Sequence, residues 1–131
     1  MTIELWMLTL SVVLGIVQIT AASHAASLQR GYRWTASPRD ETMPPLQGVA
    51  GRLDRALHNF IESFPLFAAV VLAAHVSDTH DALTEWGAQL YFWARVVYVL
   101  LYAVGIPLLR SIVWNIATLV ILLFIVALFL R

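Results

Sequence analysis

The sequence predicts an all-α integral membrane protein, a bundle of four transmembrane helices. Three observations carry that expectation. The 131 residues are 60% hydrophobic, 12% charged and have a mean hydropathy of +0.79, which falls outside the range of soluble domains. The apolar residues gather in four runs, each near the roughly 20 residues that cross a hydrocarbon core. Glycine and proline cluster between those runs. Four spans use most of the chain, so one domain over 1–131 is expected, with short loops.

The first span is read over residues 3–26. Its N-terminal flank holds Glu4 and no basic residue, unlike a cleaved signal peptide, and Arg30 and Arg33 follow the run. It therefore reads as a retained helix whose C-terminal end is cytoplasmic. Small residues over 21–27 suit close helix contact, with His24 as a packed or interfacial side chain. Residues 28–51 contain Gly31, Pro38, Pro44, Pro45, Gly48 and Gly51 and read as a connecting loop. A second helix over 49–76 spans about 42 Å at 1.5 Å per residue, so its polar first half can project from the membrane. Pro65 is expected to kink it.

The third span is read over 83–104, where Gly105 and Pro107 stop the helix. A tight turn leads into a fourth span over 108–130. The loop around 75–85 carries Asp78, Asp81 and Glu85 and no arginine, whereas the first loop and the following helix entry hold Arg30, Arg33, Arg39, Arg52 and Arg55. That asymmetry places both termini outside the cytoplasm. His75 and His80 near Asp78 and Asp81 read as a solvated acidic turn, and no metal site is expected. Trp6, Trp34, Trp86 and Trp114 lie near span ends as interfacial anchors, and Trp93 falls mid-span as a packing residue.

The formal net charge is zero, so nothing attracts nucleic acid. All eight basic residues are arginine, the side chain best suited to bidentate carboxylate recognition. Cysteine is absent, which excludes disulfides, a protein thiolate and thiolate metal sites. Sulfur chemistry would need a sulfur brought by a ligand.

Ionisable residues inside a span face a partner, a cavity or a ligand. At about 100° per residue, Arg52, Arg55, Asn59 and Glu62 share an arc of roughly 80°. Tyr91, Arg95, Tyr98 and Tyr102 share about 60° on the next helix. Glu62 could pair with Arg55 or Arg95, but arginines outnumber it, and unpaired buried cations invite anionic groups.

The segment from Arg52 to Phe67 contains Arg55, Asn59, Glu62 and Pro65 at spacings that resemble the second-helix signature of the MAPEG family, the membrane-associated proteins in eicosanoid and glutathione metabolism. Arg95, Tyr98 and Tyr102 resemble its third-helix motif, and Pro107, Arg110 and Ser111 its Pro-x-Arg-Ser element. The loop from Gly31 to Asp40 looks like the bacterial branch, and the whole chain resembles the microsomal glutathione transferases. The resemblance implies a homotrimer in the bacterial inner membrane, with glutathione as co-substrate bound between subunits toward the cytoplasmic side. It implies that Arg55, Asn59, Glu62, Arg95, Tyr98 and Tyr102 bind glutathione and that Arg110 stabilises the thiolate. Arg52, Ser111 and Arg30 are further candidates. There are two departures: Ser63 stands where some members have an aromatic residue, and Pro107 precedes Arg110 by one residue more than in the prostaglandin-forming member.

The expected function is conjugation of glutathione to small lipophilic electrophiles, or reduction of lipid peroxides, with membrane lipids and copies of the same chain as partners. The alternative is a non-catalytic lipid-binding or scaffold member. A small multidrug transporter would need a carboxylate deep in the first span, and Glu4 lies at its edge.

Overall fold

The computed structural model describes residues 1–130, which form five helices. Helix α1 covers Ile3–Arg30, α2 Tyr32–Ala36, α3 Gly48–Val76, α4 Ala82–Ala103 and α5 Leu109–Phe129. Helix α1 begins where the Thr2 side chain accepts from the Leu5 N–H, and it ends at Gly31, whose φ of 94° turns the chain while its N–H reaches the Ser27 carbonyl. The helix thus runs four residues past the apolar run ending at Ala26. Apolar length marks lipid contact, whereas the backbone stays helical until glycine releases it.

The stretch read as a loop contains α2, which is a correction to the sequence reading. Its single turn is held from outside: Ser27 Oγ lies 2.9 Å from Thr35 Oγ1, His24 Nδ1 lies 3.1 Å from the Tyr32 hydroxyl, and Trp34 Nε1 donates to the Glu41 carbonyl at 2.9 Å. Helix α3 continues through Pro65. Asp81 starts α4 through a reciprocal capping box with Thr84.

Helices α1, α3 and α5 are long and apolar enough to cross a membrane. The four-span expectation is met by three helices on length and composition. Helix α4 is 22 residues long, but Glu85, Gln89, Arg95 and its tyrosines lower its hydropathy. It packs against α1, α3 and α5.

The core lies where α3, α4 and α5 converge, with Phe67 stacked on Tyr91 at 3.9 Å between centroids and set edge-on to Phe124 at 6.2 Å. Helix α1 buries small or polar residues, Ser11, Gly15, Gln18, Ala22 and Ser27, and turns Val13, Ile16, Val17 and Ile19 outward. A Cβ at Gly15 would lie 3.1 Å from the Phe60 ring, so glycine is what admits α3 this closely. Trp93 is 57% exposed, contrary to the packing expected of it. The buried face of α4 contains Tyr91 and Arg95, each about 200° around the helix from position 93.

Candidate functional site

The two polar stripes face each other. Along the α3–α4 seam, Arg52 Nε donates to the Ala103 carbonyl at 2.9 Å and Arg55 Nε to the Tyr102 hydroxyl at 3.1 Å. Deeper in, Arg95 Nη1 donates to Asn59 Oδ1 at 2.8 Å, and Ser63 Oγ lies 2.9 Å from the Tyr91 hydroxyl. These four rungs descend two antiparallel helices in order. The pairing of Glu62 with Arg55 or Arg95 weighed from sequence does not occur, because Asn59 and Tyr102 stand in its place.

The seam is incomplete at its centre. Arg95 is 2% exposed, and its guanidinium lies 4.9 Å from the Tyr98 ring centroid and 5.4 Å from that of Phe60. Aromatic faces attract a cation but supply no acceptor in line with its N–H groups. Among the described residues, Arg95 Nε and Nη2 and the buried Tyr98 hydroxyl have no hydrogen-bond partner.

Glu62 sits at the edge of the same stripe, turned toward α5. It lines a groove of about 340 Å³ toward α5 with Asn59, Arg110, Ser111, Trp114 and Asn115. The groove extends toward Asp54, Arg55 and His58 at one end, and toward Ser63, Arg95 and Thr118 at the other. Among the described residues, neither Glu62 nor Arg110 has a hydrogen bond or ion pair. The structure therefore brings Asn59, Glu62, Arg110 and Ser111 into one groove, with Arg55 and Arg95 at its margins. Tyr98 and Tyr102 belong to the seam. Arg52 is turned toward the end of α4, and Arg30 lies elsewhere, against Trp34 at the end of α1.

The sequence matches the family model described as the MAPEG family over residues 7–130. The chain belongs to the MAPEG family. No curated protein matches it. MAPEG membership together with three spanning helices makes it an integral, multi-pass membrane protein. Of the residues that carried the MAPEG resemblance, Arg55, Asn59, Arg95 and Tyr102 form rungs of the seam, and Glu62, Arg110 and Ser111 line the groove.

Several residues in this MAPEG groove were not assigned to it from sequence. Trp114 was read as an anchor, and Asn115 and Thr118 are two of the few polar groups of the fourth span. The signal was available: Trp114 and Thr118 follow Arg110 at i+4 and i+8, and Asn115 follows Ser111 at i+4. Glu4 was also missed. It is 1% exposed, accepts from Thr84 Oγ1 at 2.6 Å, lies 3.4 Å from His80 Nδ1, and ties α1 to the start of α4. The turn expected to be merely solvated thus contributes His80 to a buried carboxylate. Among the described residues no cluster of three metal-binding side chains occurs.

Proposed function

We propose that this chain is a glutathione transferase of the membrane, related to the microsomal and bacterial members of its family, acting as a homotrimer on small lipophilic electrophiles. The observation that carries the reading is the convergence of Asn59, Glu62, Arg110 and Ser111 on one groove beside an arginine seam. Glutathione has two carboxylates, an ammonium and a thiol. Arg55 and Arg95 supply cations for the carboxylates, Glu62 an acceptor for the ammonium, and Asn59 an amide for the peptide groups. Tyr102 holds Arg55, and the Tyr98 ring faces the buried guanidinium of Arg95.

Arg110 favours the ionised thiol, so its proton leaves to water and the thiolate attacks the electrophile, forming the C–S bond as the leaving group departs with its electron pair. The protein needs no metal for this step. Volumes near 340 Å³ lie at the small end for ligand pockets, roughly 300–1,000 Å³, and a neighbouring subunit would complete the enclosure. The basic residues around α2 and the start of α3 support a cytoplasmic site with both termini opposite, as in a bacterial inner membrane. In α4, polar side chains turned inward support a fourth span.

Titrating purified protein with glutathione while following thiolate absorbance tests the reading. Saturable binding with thiolate formation is expected. Binding without a thiolate would favour a scaffold, and absence of binding would overturn the site. Crosslinking in mild detergent should yield trimers.

A further inference from the structure

A second pocket, of about 240 Å³, lies between α1, α2 and α3 and shares only Asp54 with the end of the α3–α5 groove. Its polar end is built around Trp34. Arg30 and Arg39 approach that indole to 5.3 and 5.4 Å from its centroid. The ring is itself fixed by the Nε1 bond to the Glu41 carbonyl. Both guanidinium groups therefore stand at one indole and line the same end of the pocket.

Only neutral groups answer them. Arg30 Nη2 donates to the Pro44 carbonyl at 3.2 Å, and Arg39 Nε to the Thr35 carbonyl at 3.1 Å. Arg30 Nε is buried without a partner among the described residues, and no carboxylate forms an ion pair with either arginine. Asp40 and Glu41 follow Arg39 in the chain but do not neutralise it. The lining includes one carboxylate, that of Asp54, whose Oδ2 is 3.6 Å from His58 Nδ1.

From there the pocket runs along α1 to Ala22 and Ile19, with Leu57 opposite and Asp54 one turn before it on α3. From Arg30 back to Ile19 is eleven residues, about 16 Å at 1.5 Å per residue. Ile19 and Ile16 are exposed on a helix apolar enough to span, so this end opens to acyl chains. A soluble anion would use the arginines and leave the apolar length unexplained.

We propose that this pocket binds a phospholipid whose headgroup carries both a phosphate and a primary ammonium. The phosphate sits at Arg30 and Arg39, the ammonium points toward Asp54, and one acyl chain follows α1 past Ala22. A quaternary headgroup has no N–H to give Asp54, and a glycerol headgroup has no cation, so the pocket discriminates among lipids of similar shape.

The test is native mass spectrometry of the full chain, released from detergent, with phosphatidylethanolamine, phosphatidylglycerol or phosphatidylcholine titrated singly. Phosphatidylethanolamine should be retained best. Arg39→Gln should weaken its retention by about tenfold or more, the scale of one hydrogen bond to a charged group. Arg39 is exposed, so unchanged circular dichroism is expected and separates lost binding from lost folding. Asp54→Asn should abolish the preference over phosphatidylglycerol while leaving retention of the latter intact. Equal retention of the three lipids by the wild type, or retention unaffected by Arg39→Gln, would overturn the proposal. Displacement of lipid by millimolar inorganic phosphate would assign the pocket to a soluble phosphate and overturn it likewise.

Discussion

Helix α3 presents polar groups to two neighbours on different terms. Toward α4, Arg52, Arg55, Asn59 and Ser63 each meet a partner within 3.1 Å. Toward α5, Glu62 faces Arg110 across an open groove, and neither has a hydrogen bond or ion pair among the described residues. Residue types alone do not separate the two faces, since arginine, amide and hydroxyl groups occur on both. What separates them is whether hydrogen-bonding capacity is consumed inside the protomer. The seam should therefore dominate stability, while binding falls to the groove together with the arginines at its margins.

The most direct way to break that division is Asn59→Leu. Among the described residues it removes the one acceptor of a buried guanidinium, and unfolding free energy should fall by about 3 kcal/mol, measured by detergent-induced unfolding. Adding Arg95→Met should recover most of the loss, because replacing both partners of a buried polar pair with apolar groups is nearly neutral. A double variant as unstable as the single one would remove the seam from the account.

Glu62→Gln is the counterpart on the groove. Glutathione affinity should weaken by about 1.5–3 kcal/mol in a calorimetric titration, while unfolding changes by under about 0.5 kcal/mol. From the sequence, stability was expected to fall as well, through an unpaired Arg55 or Arg95. The structure gives these arginines other partners, Arg55 Nε at the Tyr102 hydroxyl and Arg95 Nη1 at Asn59, so the loss of stability is now expected to be small. Arg110→Ala should lift the bound thiol toward the pKa of a free thiol, about 8.5, and slow conjugation of an aryl halide at neutral pH by about tenfold. Arg110→Lys should keep part of the rate. A pH–rate profile for Arg110→Ala superimposable on that of the wild type would make Arg110 a headgroup anchor instead. The smallest effect belongs to Tyr102→Phe, which deletes an exposed rung and should cost about 0.5 kcal/mol of stability.

The spans and polar stripes were legible in the sequence because both follow from periodicity: lipid demands apolar length, and a buried charge demands company on one helical face. The partner each polar group chooses was not legible. Asn59 takes Arg95 and leaves Glu62 to the groove because of the rotation of α3 against α4, which no single helix encodes. Helix α2 escaped notice because one turn stands on tertiary bonds from Ser27 and His24 rather than on its own propensity. Glu4 escaped because its partners, Thr84 and His80, lie some 80 residues away in sequence.

The turn before α5 has a consequence for how such chains change length. Leu108 adopts a left-handed backbone with φ of 70° just outside the helix, which begins at Leu109. The additional residue between Pro107 and Arg110 can thus be absorbed before the first helical turn. Inside α5 the same insertion would swing every later side chain by about 100° and carry Arg110 off the groove. A left-handed leucine is strained by roughly 1–2 kcal/mol, so the corner holds local backbone tension while the register of the helix that follows stays fixed. Corners of this kind let insertions and deletions pass without erasing the surface that follows them.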